Sequence, residues 1–532
     1  MQKKAQPWVI SLIVFVLVFD VAYFWQWKFD AYKSEFGGHP DEAAHVVTGL
    51  FIHDAIIEVG HYAASGFHGS PIRVGKEFAD RYYTHYPKIG LGVWPPFFYL
   101  VQSAWTFPFG VSRSSLLFLL CTLAGILAWL VYRFLRDEVG VVVAAVAGAV
   151  LISLPLVRSY YGMVMAETLS AVLMFGATMA FGNFLDRQKR SDAIWFGILA
   201  SLAILTKGTG LALALTAPLA LVFTPRFALL KRPALWGAVL IVSVVAGPWT
   251  WATRNLGKGG WLQPNPSWSF TAQAIPYYAQ KFALSLGVVL MALFALGVIA
   301  RLGGGSKHPG RWAAAGALIL AVLIFQSITP VGLEARHLIP ILPAGLMFAA
   351  AGFDFIAKRL GACWRVAIFA TLILGGTVWK FFPITSKGAF GFGPLAQIML
   401  ADAKPDDEAL VSSDATGEGM FIAEVALHEK RPGHIIQRAS KSLASSTWSG
   451  SGYSPAFDKD DDVFKFLTSG KIRFLILDDS VSGEHRHEHH EQLKRVTAAH
   501  PDFFFPLAQA DLSRGGELRS ERAKLYMIRP NN

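Results

Sequence analysis

Cysteine is almost absent. The chain of 532 residues holds two, Cys121 and Cys363, both in or beside apolar segments, so no disulfide framework is indicated. Charge is also scarce: Lys, Arg, Asp and Glu make up 16% of the residues against a hydrophobic fraction of 53%, which argues against a soluble globule. Acids are the rarer sign, and the formal net charge is +11. Such an excess could suggest nucleic acid. Its distribution along the chain points to topology instead, and no nucleic-acid partner is expected.

What the sequence does have is apolar runs of about 20 residues, the length that crosses a bilayer core. They fall near 8–27, 114–133, 140–157, 164–185, 193–206, 209–223, 235–253, 281–300, 312–329, 336–356 and 363–382. The first follows Lys3 and Lys4 and has no small-residue cleavage site, so it reads as an uncleaved signal-anchor. A further stretch, 92–111, contains Pro95, Pro96 and Pro108 among recurring aromatics, which suits a helix lying at the interface. If 92–111 does not span, one side of the membrane collects Lys3, Lys4, Arg133, Arg136, Arg187, Lys189, Arg190, Arg226, Lys231, Arg232, Arg301, Lys307, Arg311, Lys358, Arg359 and Arg365. By the positive-inside rule that side is cytoplasmic. The reading is a polytopic α-helical membrane protein of about 11 transmembrane helices, N-terminus inside and C-terminus outside.

Four polar regions then face outward: the long loop 28–113, "RSYYGMVMAET" at 158–168, the Trp- and Pro-rich loop 254–280, and everything after about 384. The domain division is 1–383 for the membrane part and 384–532 for a soluble α/β domain on the outer face. In that tail "EALVSS", "KIRFLILDD" and "KLYMIRP" read as strands, with "DDDVFKFLTSG" and "HEHHEQLKRVTAAH" as helices between them. The run "EHRHEHHEQL", with His485, His487, His489 and His490, could bind a metal by composition. No Cys or spaced Asp/His pair completes a site, so it reads first as a solvated charged helix start.

The residues that could carry chemistry cluster in the outer regions. In "GGHPDEAAHVVTGL", residues 37–50, Pro40 suits a helix start, and Asp41 and Glu42 fall in its first turn, where the helix dipole favours negative charge. That is ordinary helix chemistry, but the same dipole keeps a carboxylate ionised, as a base or metal ligand needs. His45 shares the face of both acids. Arg81, His85 and Lys88 precede the interfacial helix, where they either snorkel or capture an anion. Lys207 interrupts the apolar stretch "LASLAILTKGTGLALAL" at a glycine-containing break; at the headgroup level it is well placed to hold a lipid-linked phosphate. Glu167, Arg254, Asn255, Trp261 and Arg336 land at the same surface, where each alone could be an interface anchor. Together, basic groups could hold a phosphate while a carboxylate takes a proton from an attacking hydroxyl.

Six short motifs in order, "DEAAH", "WPPFFYL", "AET", "LTKGTG", "PWTWATRN" and "EARHLIPILPAG", make residues 8–380 resemble the GT-C superfamily of polyprenyl-phosphate-sugar-dependent glycosyltransferases. The likeness is greatest to bacterial protein O-mannosyltransferases and to the aminoarabinose transferases that modify lipid A. The resemblance implies an inverting single displacement from a polyprenyl-phosphate sugar to an acceptor hydroxyl, on a lipid, glycan or protein, at the outer face of a bacterial cytoplasmic membrane. It makes Asp41 the general base with Glu42 beside it, Glu167 the second acidic position, and Lys207, Arg336 and Arg254 the residues for the donor phosphate. Many relatives carry a Lys directly before the Pro pair, where Trp94 stands here; Lys88, six residues earlier, is the substitute. His45 and His85 belong to the pocket. No cofactor is required, though some relatives use a divalent cation, for which His85 and Glu42 could supply ligands. A transporter or flippase of a lipid-linked or anionic substrate is the alternative. It fits less well, because no inverted repeat is visible and the charges gather at one face rather than at midplane.

Overall fold

The structure, a computed structural model, describes residues 7–263, 265–302, 306–359, 386–445, 452–483 and 486–529. The expected segment 363–382, together with Lys3, Lys4, Cys363, Arg365 and His485, lies outside the described residues. The chain forms two compact units. One comprises Met1–Lys28, Gly92–Phe98 and Phe118–Ile384; the other comprises Phe29–Leu91, Tyr99–Leu117 and Thr385–Asn532.

Among the described residues, seven helices are long and apolar enough to cross a membrane, or eight if the bent pair Val141–Ser153 and Pro155–Tyr161 is one span. Six of the seven coincide with expected segments: Pro7–Lys28, Arg113–Val139, Glu167–Arg187, Trp268–Arg301, Pro309–Ile328 and Ala335–Ala357. The seventh, Glu42–Ala64, falls in the expected outer loop. It carries Glu42, Asp54 and Glu58, and Asp54 is ion-paired to Arg431 of the tail, so we read it as extramembrane. Three further expected segments, 193–206, 209–223 and 235–253, form helices below spanning length. The 15-residue helix Arg190–Ile204 rises only about 22 Å, short of the roughly 30 Å hydrocarbon core. The stretches Gly208–Phe223 and Pro233–Val245 are likewise short apolar helices. The doubtful segment 92–111 becomes the 13-residue helix Phe97–Phe109, which also falls below spanning length.

In the first unit, small residues let helices meet backbone to backbone. A Cβ built on Gly297 would lie 1.8 Å from Phe348 O, and one on Gly352 would lie 1.9 Å from Leu293 O. The helices Trp268–Leu302 and Leu342–Ala357 therefore touch where neither chain has a side chain. Charges segregate along the helix Glu167–Arg187. Near its C-terminus Arg311 donates to Asn183 Oδ1 (2.7 Å), Arg226 to Leu185 O and Arg232 to Gln188 Oε1 (3.0 Å). At its N-terminus, about 28 Å away by helical rise, Lys207 and Arg336 meet Glu167. Three cations assigned by sequence to inside loops, Arg226, Arg232 and Arg311, thus meet one end of this helix, and two assigned to outside loops, Lys207 and Arg336, meet the other.

The second unit joins the outer loop to the tail. Among the described residues there are seven strands: β1 (Glu408–Ser412), β2 (Ile435–Arg438), β3 (Ala444–Ser445), β4 (Ser454–Pro455), β5 (Ile472–Asp478), β6 (Phe504–Arg514) and β7 (Glu517–Ile528). Five form one sheet in the order β2-β1-β5-β7-β6, with β1 parallel to β2 and β5, and the β5–β7 and β6–β7 pairs antiparallel. Leu410, Leu475 and Leu477 from the sheet pack with Val463, Leu467, Leu493 and Val496 from the helices Asp460–Ser469 and Glu488–Ala499. Loop and tail are tied by buried polar pairs. Arg431 grips both oxygens of Asp54 (2.8 and 3.1 Å), and Tyr82 also donates to Asp54 (2.9 Å). Tyr86 donates to Glu429 (2.6 Å), and Arg113 pairs with Glu424.

Candidate functional site

The residues singled out from the sequence fall into two clusters, one in each unit. In the second unit Asp41 is the N-cap of the helix Glu42–Ala64. Its N–H donates to His39 Nδ1 (3.1 Å), and its carboxylate lies 3.6 Å from the same ring nitrogen. The Asp41 side chain keeps 18% exposure, enough for a substrate hydroxyl or water to reach it. Glu42 does not. It is wholly buried, with Oε1 2.6 Å from Lys387 Nζ and Oε2 accepting the Gly38 N–H at 2.9 Å. His45 is buried one turn on, with Nδ1 2.9 Å from the Tyr99 hydroxyl.

Lys88 extends toward the tail and donates to Ala415 O at 2.9 Å, in the first turn of the helix Ala415–His428. Burial and the neighbouring Arg438 guanidinium pull its ammonium down to about 8, against the opposing pull of the Glu418, Asp41 and Asp414 carboxylates. Its electrostatic neighbourhood therefore includes Asp41. His85, by contrast, tilts against the Tyr86 ring at 6.3 Å, with a buried Nδ1 that has no hydrogen-bond partner. Among the described residues no group of three His, Cys, Asp or Glu side chains could hold a metal. Glu42, one of the two expected ligands, is already matched by an ammonium. These residues do not fit a divalent cation bound by His85 and Glu42. In the tail, His490 pairs through Nδ1 with the Ser412 hydroxyl (2.8 Å), His489 pairs with Tyr453 (3.0 Å), and His487 stacks on the Tyr453 ring. Burial draws both His489 and His490 downward, the latter to about 4, which suits neutral rings held inside a domain.

In the first unit the centre is Glu167, buried at the N-terminus of its helix, where the dipole favours the carboxylate. Lys207 Nζ lies 2.5 Å from Oε1, and Arg336 lies 3.5 Å from the same oxygen. Arg336 also pairs with Glu334 at 2.8 Å. Lys207 sits in extended backbone between Ile204 and the 3-10 turn Gly208–Ala212. The turn folds back so tightly that a Cβ on Gly210 would stand 2.6 Å from the backbone of Ala203 and Ile204. His337, next to Arg336, is buried with Nδ1 3.0 Å from the Tyr278 hydroxyl. Arg254 is engaged elsewhere, donating to Trp251 O (2.7 Å) and lying over the Trp251 ring.

Sequence reasoning missed Tyr99, Tyr278, Glu334, His337 and Lys387. Tyr99, Glu334 and His337 lie inside quoted motifs and could have been drawn from them. Lys387 stands alone in "ITSKGAF", where neither spacing nor composition marks it.

Helical spans, an acidic helix start gripped by two cations, and an α/β domain folded with the first outer loop define a multi-pass membrane protein of a particular architecture. The family model described as dolichyl-phosphate-mannose-protein mannosyltransferase matches residues 93–251. The fold is similar to that of ArnT from Cupriavidus metallidurans, solved bound to undecaprenyl phosphate, with 14% identity, 98% of each chain covered and a TM-score of 0.61. It is also similar to the archaeal oligosaccharyltransferase AglB from Archaeoglobus fulgidus, solved with an inhibitory peptide and a dolichol-phosphate. There the identity is 13%, the coverage 95% of this chain and 74% of that one, and the TM-score 0.51. The apo form of the Archaeoglobus fulgidus oligosaccharyltransferase matches at 12% identity, the same coverage and a TM-score of 0.52. No curated protein matches the sequence. The likeness to GT-C glycosyltransferases read from the short motifs is borne out by this matched segment and this fold.

Proposed function

We propose that the chain is an integral-membrane glycosyltransferase that moves a sugar from a polyprenyl-phosphate donor to an acceptor hydroxyl. The observation that carries this reading is the convergence of Lys207 and Arg336 on Glu167. Two cations preorganised by one buried carboxylate are suited to a phosphate leaving group, whose developing charge they would neutralise without reorganising. The carriers bound in the ArnT and AglB structures, undecaprenyl phosphate and dolichol-phosphate, support a polyprenyl donor.

In this reading the acceptor oxygen attacks the anomeric carbon as its proton passes to Asp41. The bond from that carbon to the phosphate oxygen breaks, polyprenyl phosphate leaves, and the configuration inverts. Asp41 is suited to the base role because its carboxylate is partly exposed and at a helix start. Glu42 is assigned to holding that helix start, since both its oxygens are engaged. Lys88 and the His45–Tyr99 pair flank the base. The placement at a bacterial cytoplasmic membrane, with N-terminus inside and tail outside, belongs to the same proposal.

Purified full-length chain in lipid nanodiscs, given polyprenyl-phosphate-linked labelled sugar and an envelope extract, should transfer label. Asp41→Asn should abolish transfer at unchanged expression. Mass spectrometry of envelope lipids, glycans and proteins, with and without the chain, should then differ by one sugar on one acceptor class. No mass difference, together with carrier movement across vesicles, would replace the transferase with a flippase.

A further inference from the structure

We infer that Lys387, outside every motif and in the tail, is a positioning residue for Asp41, acting through Glu42. The inference rests on the proposed role of Asp41 as base. Lys387 and Glu42 are both wholly buried and 2.6 Å apart, although 345 residues separate them. Glu42 is the residue directly after Asp41, so whatever fixes its carboxylate fixes the first turn that Asp41 caps. The clamp closes on both sides. The second oxygen of Glu42 takes the Gly38 N–H, spanning "GHPDE", while the backbone N–H of Lys387 donates to Phe29 O at 2.8 Å. Four residues further back from Gly38's neighbour His39, Glu35 donates its N–H to Ala389 O (2.7 Å). Its carboxylate accepts the N–H groups of Gly391, Phe392 and Gly393 at 2.9, 3.1 and 2.8 Å. Residues 387–393 of the tail thus run along residues 29–42 of the loop and hold them by backbone and by charge.

The charge arrangement makes this more than a scaffold. Lys387 faces Glu42, the Phe36 ring at 5.6 Å, and the Arg113–Glu424 pair. Asp41 faces His39 and Lys88, and is adjacent to Glu42. The ammonium of Lys387 offsets the charge of the carboxylate beside the base. Removing one member of the pair therefore changes the net charge next to Asp41 by one, with a known sign.

The test is the pH dependence of kcat for sugar transfer by Lys387→Met, Glu42→Gln and the double variant, each in the full chain. A base must be deprotonated, so activity falls on the acid side. With Lys387→Met the loss of the positive charge beside Glu42 should move that limb upward; with Glu42→Gln the loss of the negative charge should move it downward. Each shift should be about 0.5–1 pH unit. The double variant should return the limb to its original place. Its kcat should stay at least about tenfold below the parent's, since all three variants break the clamp and small misplacements of reacting groups cost up to about a hundredfold. Donor KM should stay within about twofold in all three. If Lys387→Met does not fold, the double variant, which leaves no buried charge, still carries the test against Glu42→Gln. Limbs that stay in place, or a double variant whose kcat equals the parent's, would overturn the inference. If Asp41→Asn retained full transfer, the base assignment itself would fall, a different failure from active Lys387 variants alongside an inactive Asp41→Asn.

Discussion

Lys207 Nζ lies 2.5 Å from Glu167 Oε1, joining a break in one apolar stretch to the first residue of another helix forty positions earlier. The pair explains why a lysine is tolerated at a place where an unpaired ammonium would be costly. It also sets the expected effect of losing it. Lys207→Met should lower kcat/KM for the polyprenyl-phosphate donor by about 10²–10³, the range seen when one preorganised charge donor is removed. Lys207→Arg, which keeps the charge but not the point geometry, should retain part of the activity. Initial rates over a range of donor concentrations decide it, and unchanged kinetics in Lys207→Met would remove Lys207 from the donor site.

Lys88 gives a prediction in pH rather than in rate. Its ammonium is pulled down to about 8 from the ordinary lysine value of 10.5. Between those two values the unfolded chain binds more protons at this position than the folded one, so this contribution to stability rises with pH. Below about 8 both states are protonated, the contribution is flat, and the cost of burying the charge is present in full. The melting temperature of the intact protein relative to Lys88→Met should therefore rise from pH 8 to 10. A difference constant across that window would mean that Lys88 keeps an ordinary ammonium.

Much of this architecture could be read in advance, and the exceptions share a cause. The helices around 8–27, 114–133, 164–185 and 312–329 were visible because a spanning helix must be apolar along its whole length. The strands at 408–412 and 472–478 and the helix at 460–469 were visible through their local periodicity. The strands β2 and β6 were not: Ile435–Arg438 is too short to show a period, and Phe504–Arg514 opens on an unbroken apolar run with Pro506 inside it before alternation begins at Ala508. The break at Lys207 carried its own sign, a charge followed by two glycines, Gly208 and Gly210. Lys387 carried none, because what matters about it is the partner at Glu42, and a contact across 345 residues leaves no local trace. Glu42 shows the same limit from the other side. Its place beside Asp41 suggested shared chemistry, whereas its side chain turns inward to the tail.

The Asp54–Arg431 clamp should be among the strongest ties between the first outer loop and the tail. Both oxygens are bound by one guanidinium, Tyr82 adds a third bond, and each partner is 13% exposed. Arg431→Met leaves Asp54 largely buried without its counter-charge, so a loss of about 3–5 kcal/mol is expected. Asp54→Asn combined with Arg431→Met should recover part of that loss, because no buried charge remains. Limited proteolysis between residues 65 and 70, together with thermal unfolding, would read both effects. Equal stability of Arg431→Met and the parent would show that the clamp contributes little beyond the neighbouring apolar contacts.

The meeting of Gly297 and Gly352 makes the sharpest prediction for the membrane unit. A Cβ on either would stand less than 2 Å from a carbonyl oxygen of the other helix, closer than any real contact, and the obstacle is backbone that cannot rotate away. Gly352→Ala must therefore push the helices Trp268–Leu302 and Leu342–Ala357 apart along their shared face. That separation removes dispersion contacts that, between spanning helices, no hydrophobic effect replaces. The helix Leu342–Ala357 follows directly on the turn that carries Arg336 and His337, so the displacement should reach the cluster around Glu167 as well. The expected outcome is a lower melting temperature in detergent together with a raised donor KM. Gly316→Ala serves as the control, since a Cβ there meets only ordinary contacts at 3.7 Å and beyond. If the two alanine variants melted and turned over alike, the close crossing would not be what sets the position of Arg336.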